Sequence, residues 1–258
     1  MKPTFIITSA INTNVGVYSP ELRILQTHET INSIQAIYPD AILVLVDGGR
    51  AIQDTEGELN LRWSQLKARC QVNMNLQEND QIAHLHKEFF NNIPVKTEMG
   101  GTTGLTKSVA ELTLMRAVLD AIKNNDTMQP VRDTDRIFKI SGRYQLSPLF
   151  ETEVYETDAV AGKYVFRQRD VSWMPDAQKN VGTGHGYASR LWSFTPDQID
   201  DVTERFDSMI DDCMEITTKH YIDIEHLLFK HFSETNPVEL EHTHLMGTIA
   251  PTGVVVYD

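Results

Sequence analysis

The chain has 258 residues, 41% hydrophobic and 23% charged, and 36 acidic side chains against 23 basic ones leave a formal charge of −13. At this length folding buries roughly 70–75% of the unfolded surface, so a soluble globular protein with a sizeable core is expected and disorder is not. A pI near 5.1 and the lack of any Lys/Arg block argue against a nucleic-acid or anionic-membrane surface, while leaving room for local basic pockets.

The longest apolar run, residues 41–46, falls far short of the roughly 20 residues that cross a bilayer. The opening MKPTFIITSAINTN has too short an apolar stretch for a secretory leader and reads as mature sequence. Cys70 and Cys213 are isolated, which supports neither structural zinc nor a disulfide framework and makes a cytoplasmic setting the default.

In chain order, the apolar run at 5–11 predicts a first strand. Ser19-Pro20 predicts an N-cap with proline in the first turn, and Leu22, Leu25, Ile31, Ile34 and Ile37 stripe the helix that follows as far as Tyr38-Pro39. The run AILVLV predicts a buried second strand that stops at Asp47-Gly48-Gly49-Arg50. Residues 59–70 read as a second helix and 81–85 as a third strand. A glycine-rich segment at 99–108 then leads into a helix over 109–122, and 136–144 reads as a strand closed by Ser141-Gly142. The order so far is βαβαβαβ.

Beyond it, 164–170 and 188–194 read as strands separated by a glycine-rich loop, without crossover helices of their own. A long helical region from Thr195 to about Tyr221, a helix over 223–232 and two short terminal strands complete the chain. The alternation is that of an α/β fold with a mostly parallel sheet, whose ligands bind at the carboxyl ends of the strands.

Those ends carry small and polar groups: Thr8, Ser9 and Asn12 after the first strand, Asp47, Gly48 and Arg50 after the second, Lys139, Ser141, Gly142 and Arg143 in and after the fourth. Aspartate accepts from ribose hydroxyls or a base N–H, and arginine answers a diphosphate with a bidentate fork. Turn residues at strand ends explain any one of these segments alone; their shared position supports a site. GGTTGLTKS departs from the phosphate-cradling GxxxxGK[ST] by Thr106 in place of the last glycine, leaving Lys107 as a candidate phosphate cation or the segment as a glycine-rich lid. His242 and His244, two apart, share a face if they lie on a strand, where they are either edge histidines or metal ligands with Glu225 or Asp223. Asp223 and Glu225 open a helix, so they serve as caps or as a catalytic base. Trp173 and Trp192 are candidates for stacking on a sugar ring, or core aromatics.

The strand FIITSAI, the helix RILQTHETINSIQAIYPDA leading into LVLVDGG, the segment TKSVAELTLMRAVLDAI, the strand FKISGRYQL and the helix DIEHLLFKHF together resemble a GT-A-type nucleotide-diphospho-sugar transferase of the bacterial and phage surface-polysaccharide kind. The resemblance covers most of the chain. It implies one Rossmann-like domain over 1–258, with 1–150 as the nucleotide-binding half and 151–258 as an acceptor-side half with a helical and β extension. It also implies a nucleotide sugar as donor and a hydroxyl of a glycan or other acceptor, with Thr8, Ser9 and Asp47 by the nucleotide and Glu225, or Asp223, as base. Ser141-Gly142-Arg143 stands where that family carries its metal-binding DxD, so Mn²⁺ or Mg²⁺ is not fixed as a cofactor. Lys139 or Arg143 are candidates to neutralise the leaving diphosphate in its place. A nucleotidyltransferase, or a nucleotide-sugar-binding protein without catalysis, are the other readings.

Overall fold

A computed structural model describes residues 1–12, 18–52, 57–76, 101–217, 219–249 and 254–258. Four parallel strands form its centre: β1 (Pro3–Ser9), β2 (Ile42–Asp47), β3 (Val72–Asn75) and β4 (Arg136–Ser141), in the order β3-β2-β1-β4. The short β5 (Tyr144–Leu146) follows a tight turn, and the sheet then continues with β6 (Val165–Arg167), β9 (Leu191–Phe194) and β10 (Val238–Leu240) in the order β10-β6-β9-β4. Of its seven strands, β9 alone runs against the rest, antiparallel to both β4 and β6. A ribbon of β7 (Asp170–Val171) and β8 (His185–Gly186) lies apart from it, as does a three-stranded sheet β12-β11-β5 that adds β11 (Leu245–Ile249) and β12 (Val254–Tyr257).

Every residue of β1, β2 and β4 is buried, as strands covered on both faces require. Alternate side chains feed two cores. Phe5, Ile7, Leu43, Leu45, Phe138 and Ile140 point to the face covered by α1 (Pro20–Ile37) and α2 (Glu58–Lys67). Ile6, Val44, Val46, Ile137, Trp192 and Phe194 point to the face covered by α3 (Gly101–Asn124), α4 (Ile199–Ile216) and α5 (Ile224–Phe232).

The start of α1 matches its sequence signal: the Leu22 N–H donates to the Ser19 hydroxyl and Pro20 occupies the first turn. Two expected elements differ. The third strand at 81–85 lies outside the described residues, and the strand beside β2 is the half-polar VNMN of β3, an edge position that tolerates exposed polar side chains. The glycine-rich segment is not a loop, because helix α3 begins at Gly101; its apolar continuation outweighs the cost of glycine within it. Between Gly101 and Ser108 there is therefore no phosphate-cradling loop or lid, and the Lys107 side chain lies outside what is described. The acidic side chains of α4 lie mostly exposed, and Asp201, Asp207 and Asp212 pair with Arg205, Arg116 and Lys230.

Candidate active site

The carboxyl ends of β1 and β2 are joined through backbone contacts. Asp47, buried at the end of β2, accepts the Ile11 N–H with Oδ1 (2.8 Å), while the Gly48 N–H donates to the Ser9 carbonyl (3.0 Å) and the Arg50 N–H to the Asn12 carbonyl (2.7 Å). Asn12 closes the clasp by donating from Nδ2 to the Ala51 carbonyl (2.8 Å). The two segments run so close that a Cβ on Gly49 would lie 2.9 Å from the Asn12 backbone nitrogen and 3.0 Å from that of Ile11, so only glycine fits. Thr8 and Ser9 are buried, and Gly142 beyond β4 donates its N–H to the Thr8 carbonyl (2.8 Å). Thr8, Ser9, Asn12, Asp47, Gly48, Arg50, Ser141 and Gly142 thus lie along one edge.

Across β4 the edge is built from side chains instead. Lys139, fully buried, pairs with Glu111 of α3, donates to the Ser189 carbonyl (2.6 Å) and lies 3.2 Å from the Ser141 hydroxyl. With these acceptors around its Nζ, Lys139 is part of the frame and is not turned to a ligand's diphosphate. The Ser189 hydroxyl in turn donates to Glu225 Oε1 (2.7 Å). Glu225 sits in the first turn of α5 and retains some solvent access. Desolvation, with the negative charges of Asp223 and Glu111 adding, pushes its carboxyl up to about 7. That is the range in which a carboxylate takes a proton near neutral pH and gives it up again.

The glycine-rich segment 182–186 is pinned to the same place. The Tyr187 N–H donates to the Glu225 carbonyl (3.0 Å), and a Cβ on Gly186 would lie 3.3 Å from that of Glu225. Asp223 has a different task from Glu225. It caps α5 by accepting the His226 N–H (3.1 Å) and pairs with His226 Nδ1, whose Nε2 lies 2.7 Å from the Ser172 hydroxyl. Ser172, His226 and Asp223 thereby tie the segment after β7 to the helix that carries Glu225. Trp173 beside it is 55% exposed, whereas Trp192 is buried in the core among Phe166, Phe194 and Phe206 and offers no platform to a sugar.

The described residues do not gather into a site for a divalent metal. Among the described residues no group of three or more His, Cys, Asp or Glu could hold one. His242 and His244 precede β11 in a loop rather than on a strand, with His244 in the left-handed region (φ 52°), and they pair weakly with Glu241 and Glu151 (3.8 and 3.9 Å). They line a cavity of about 190 Å³ with Phe150 and Tyr155. That cavity sits on the loop that follows the carboxyl end of β10, and the ring of its Phe150 lies 6.3 Å from that of Tyr38. Neither Glu225 nor Asp223 contributes to it. The Asp133–Asp135 triplet precedes β4, at the amino edge of the sheet, with Asp135 accepting the Lys2 N–H.

At the carboxyl edge stand arginines instead. The Arg143 and Arg190 guanidiniums lie 5.6 and 5.5 Å from the centre of the Tyr144 ring. Arg23 of α1 is buried beside them, donating to the Ala10 carbonyl (3.2 Å). Sequence reasoning missed Arg23, Glu111, Ser189, Arg190 and His226. Apart from His226, which pairs with Asp223 three residues before it, each comes from an element remote in sequence from its partner.

By strand order, with β9 running antiparallel beside β4, the fold is GT-A-like and Rossmann-like. No model of a protein family matches the chain, and no curated protein does. Among solved structures it is similar to an active-site mutant of LgtC (12% identity, 90% of this chain and 70% of that one, TM-score 0.49). It is also similar to core-mannan synthase A of Aspergillus fumigatus in a Mn/GDP form (8%, 92% and 72%, TM-score 0.45) and to mouse xyloside xylosyltransferase 1 (9%, 93% and 83%, TM-score 0.46). At these identities and scores none of them assigns a role to a residue of this chain.

Proposed function

We propose that the protein transfers a sugar from a nucleotide-diphosphate donor to an acceptor hydroxyl, with residues 1–150 holding the donor and 151–258 framing the acceptor. The observation that carries this reading is Glu225: a carboxyl held by Ser189, partly open to solvent and raised to about 7, at the carboxyl edge of the sheet. Acid–base work on a hydroxyl needs such a group. In the reaction the acceptor O–H gives its proton to Glu225 as the oxygen attacks the anomeric carbon. The bond from that carbon to the diphosphate oxygen breaks, and the electron pair leaves with the nucleoside diphosphate. Asp223 orients α5 and raises Glu225 by its charge, so it is a positioning residue. On the donor side, Asp47 and the Gly48–Arg50 turn are suited to ribose or base, because the buried aspartate is fixed before ligand arrives.

The setting that the sequence resemblance suggests is surface-polysaccharide synthesis in the cytoplasm. Among the described residues no helix is long and apolar enough to cross a membrane. The test is thermal unfolding against UDP-, GDP-, CMP- and dTDP-sugars, followed by turnover with the donor found. Ligand at about 100 times its dissociation constant adds roughly 2.7 kcal/mol, a rise of a few degrees for a chain of this size. One nucleotide family raising the midpoint, with sugar release or transfer abolished by Glu225→Gln, supports the reading. Binding without turnover in any condition makes the protein a nucleotide-sugar-binding module, and release of pyrophosphate from a nucleoside triphosphate makes it a nucleotidyltransferase.

A further inference from the structure

We propose that Arg143 and Arg190, backed by Arg23, form a cationic clamp that holds the diphosphate of the donor without a divalent metal. The inference rests on the donor reading above and concerns its chemistry. Three observations carry it.

First, the two guanidiniums are placed but not spent. Arg116, Arg167, Arg169 and Arg205 each pair with a carboxylate, as expected in a chain of charge −13. Arg143 and Arg190 have their charges over the Tyr144 ring and make no ion pair or side-chain hydrogen bond among the described residues. Each guanidinium presents five N–H donors, and stacking on an aromatic ring orients the fork while leaving those donors to a ligand.

Second, the cluster is at the crevice. Arg143 follows Gly142 directly, and the Ser141 N–H donates to the Arg190 carbonyl (3.0 Å), which fixes the two residues on neighbouring strand ends. Arg190 adjoins Ser189, the residue that holds Glu225. The arginines and Glu225 thus share the carboxyl edge of the sheet.

Third, positive charge is concentrated there at a cost. Arg23 is buried, and burial together with the charge of Arg143 lowers it to about 10. Like charges in a partly desolvated site repel, and a bound polyanion removes that repulsion. Two buried hydroxyls near this edge, Ser9 Oγ and the Tyr18 hydroxyl, have no hydrogen-bond partner among the described residues, as expected where a polar ligand completes the site.

The test is calorimetric titration of the full-length protein with inorganic pyrophosphate, UDP and GDP, each in EDTA and again with Mn²⁺. Pyrophosphate and one nucleoside diphosphate are expected to bind in EDTA, with little gain from Mn²⁺. Arg143→Ala and Arg190→Ala should each weaken binding at least tenfold, and Arg190→Lys should recover only part, since a point charge lacks the fork. Arg167→Ala, a cation outside the crevice, should change nothing. Unfolding midpoints without ligand check that each variant is folded; if an alanine variant does not fold, Arg143→Lys and Arg190→Lys carry the measurement. Binding that requires Mn²⁺, or that survives the double variant in EDTA, overturns the clamp and leaves the donor reading standing. Pyrophosphate bound through these arginines while no nucleoside diphosphate binds overturns the donor reading and this inference with it.

Discussion

The two ends of the candidate site are built from different materials. At β1 and β2 the crevice is held by main-chain hydrogen bonds between adjacent turns, with Asp47 as the buried side chain that joins them. At β4, β9 and α5 it is held mainly by side chains, Glu111 to Lys139 to the carbonyl of Ser189, whose hydroxyl holds Glu225; these members come from α3, β4, the approach to β9 and α5. The first construction fixes shape and leaves the local charge low. The second fixes shape by means of charge, and so shifts the proton affinity of the group at its end. A donor site needs rigid contacts to recognise its ligand; a base needs tuning, which only charged neighbours and burial supply.

The largest expected effect breaks the side-chain end at its terminus. Glu225→Gln should lower turnover by about 10²–10⁴-fold with the fold retained. In the wild-type chain the rate should rise with pH through about 7 as the carboxyl ionises. Stability should run the opposite way. Because the folded-state value lies above the ordinary value of 4.5, the folded chain holds this proton more tightly, so stability is lost as pH rises from about 4.5 to about 7. The glutamine variant should lack that loss and unfold at a higher temperature than wild type at pH 8, read by calorimetry.

Next is the middle of the relay. Lys139→Met removes the buried cation and leaves Glu111 without its partner, which should cost about 3–5 kcal/mol in urea unfolding. Adding Glu111→Gln should recover a good part of that loss. If the single variant is as stable as wild type, the relay is not the frame described here.

The main-chain end is probed by Gly49→Ala, which forces a methyl against the backbone of Ile11 and Asn12. A loss of about 1–3 kcal/mol is expected, with nucleotide affinity falling and the pH dependence of turnover unchanged. That last readout separates the two ends. The smallest effect is expected in the loop after β10: His242→Ala and His244→Ala should leave turnover unchanged in EDTA and in Mn²⁺, and stability within about 0.5 kcal/mol. A loss restored by added metal would return these histidines to the chemistry.

What the sequence disclosed follows the same division. Ser19-Pro20 announced α1, the AILVLV run announced β2, and the turn Asp47-Gly48-Gly49-Arg50 announced one side of the crevice, because caps, burial runs and turns are local signals. Glu225 was legible as an acid at a helix start. Its partner Ser189 was not, being 36 residues away, nor was Glu111, 28 residues from Lys139. Lys139 was read as a ligand cation for the same reason: an inward-facing lysine at a strand end looks alike in sequence whether it meets a diphosphate or a glutamate from a distant helix. The polar β3 escaped notice because edge strands need not be apolar, and the two histidines lost their shared face once they proved to lie outside a strand.

The reversed strand β9 has a consequence for how such a protein can change. Since it runs against β4, the chain reaches the crevice on its way into β9 and leaves by the far edge, so Ser189 and Arg190 arrive there at the end of an excursion that starts beyond β6. Lengthening or shortening that excursion alters what stands over the base without disturbing the pairing of the parallel strands. On the proposed reading, selection for a new acceptor can work on the stretch between Ser172 and Gly186, whose ends are pinned to α5, while the parallel strands are inherited intact.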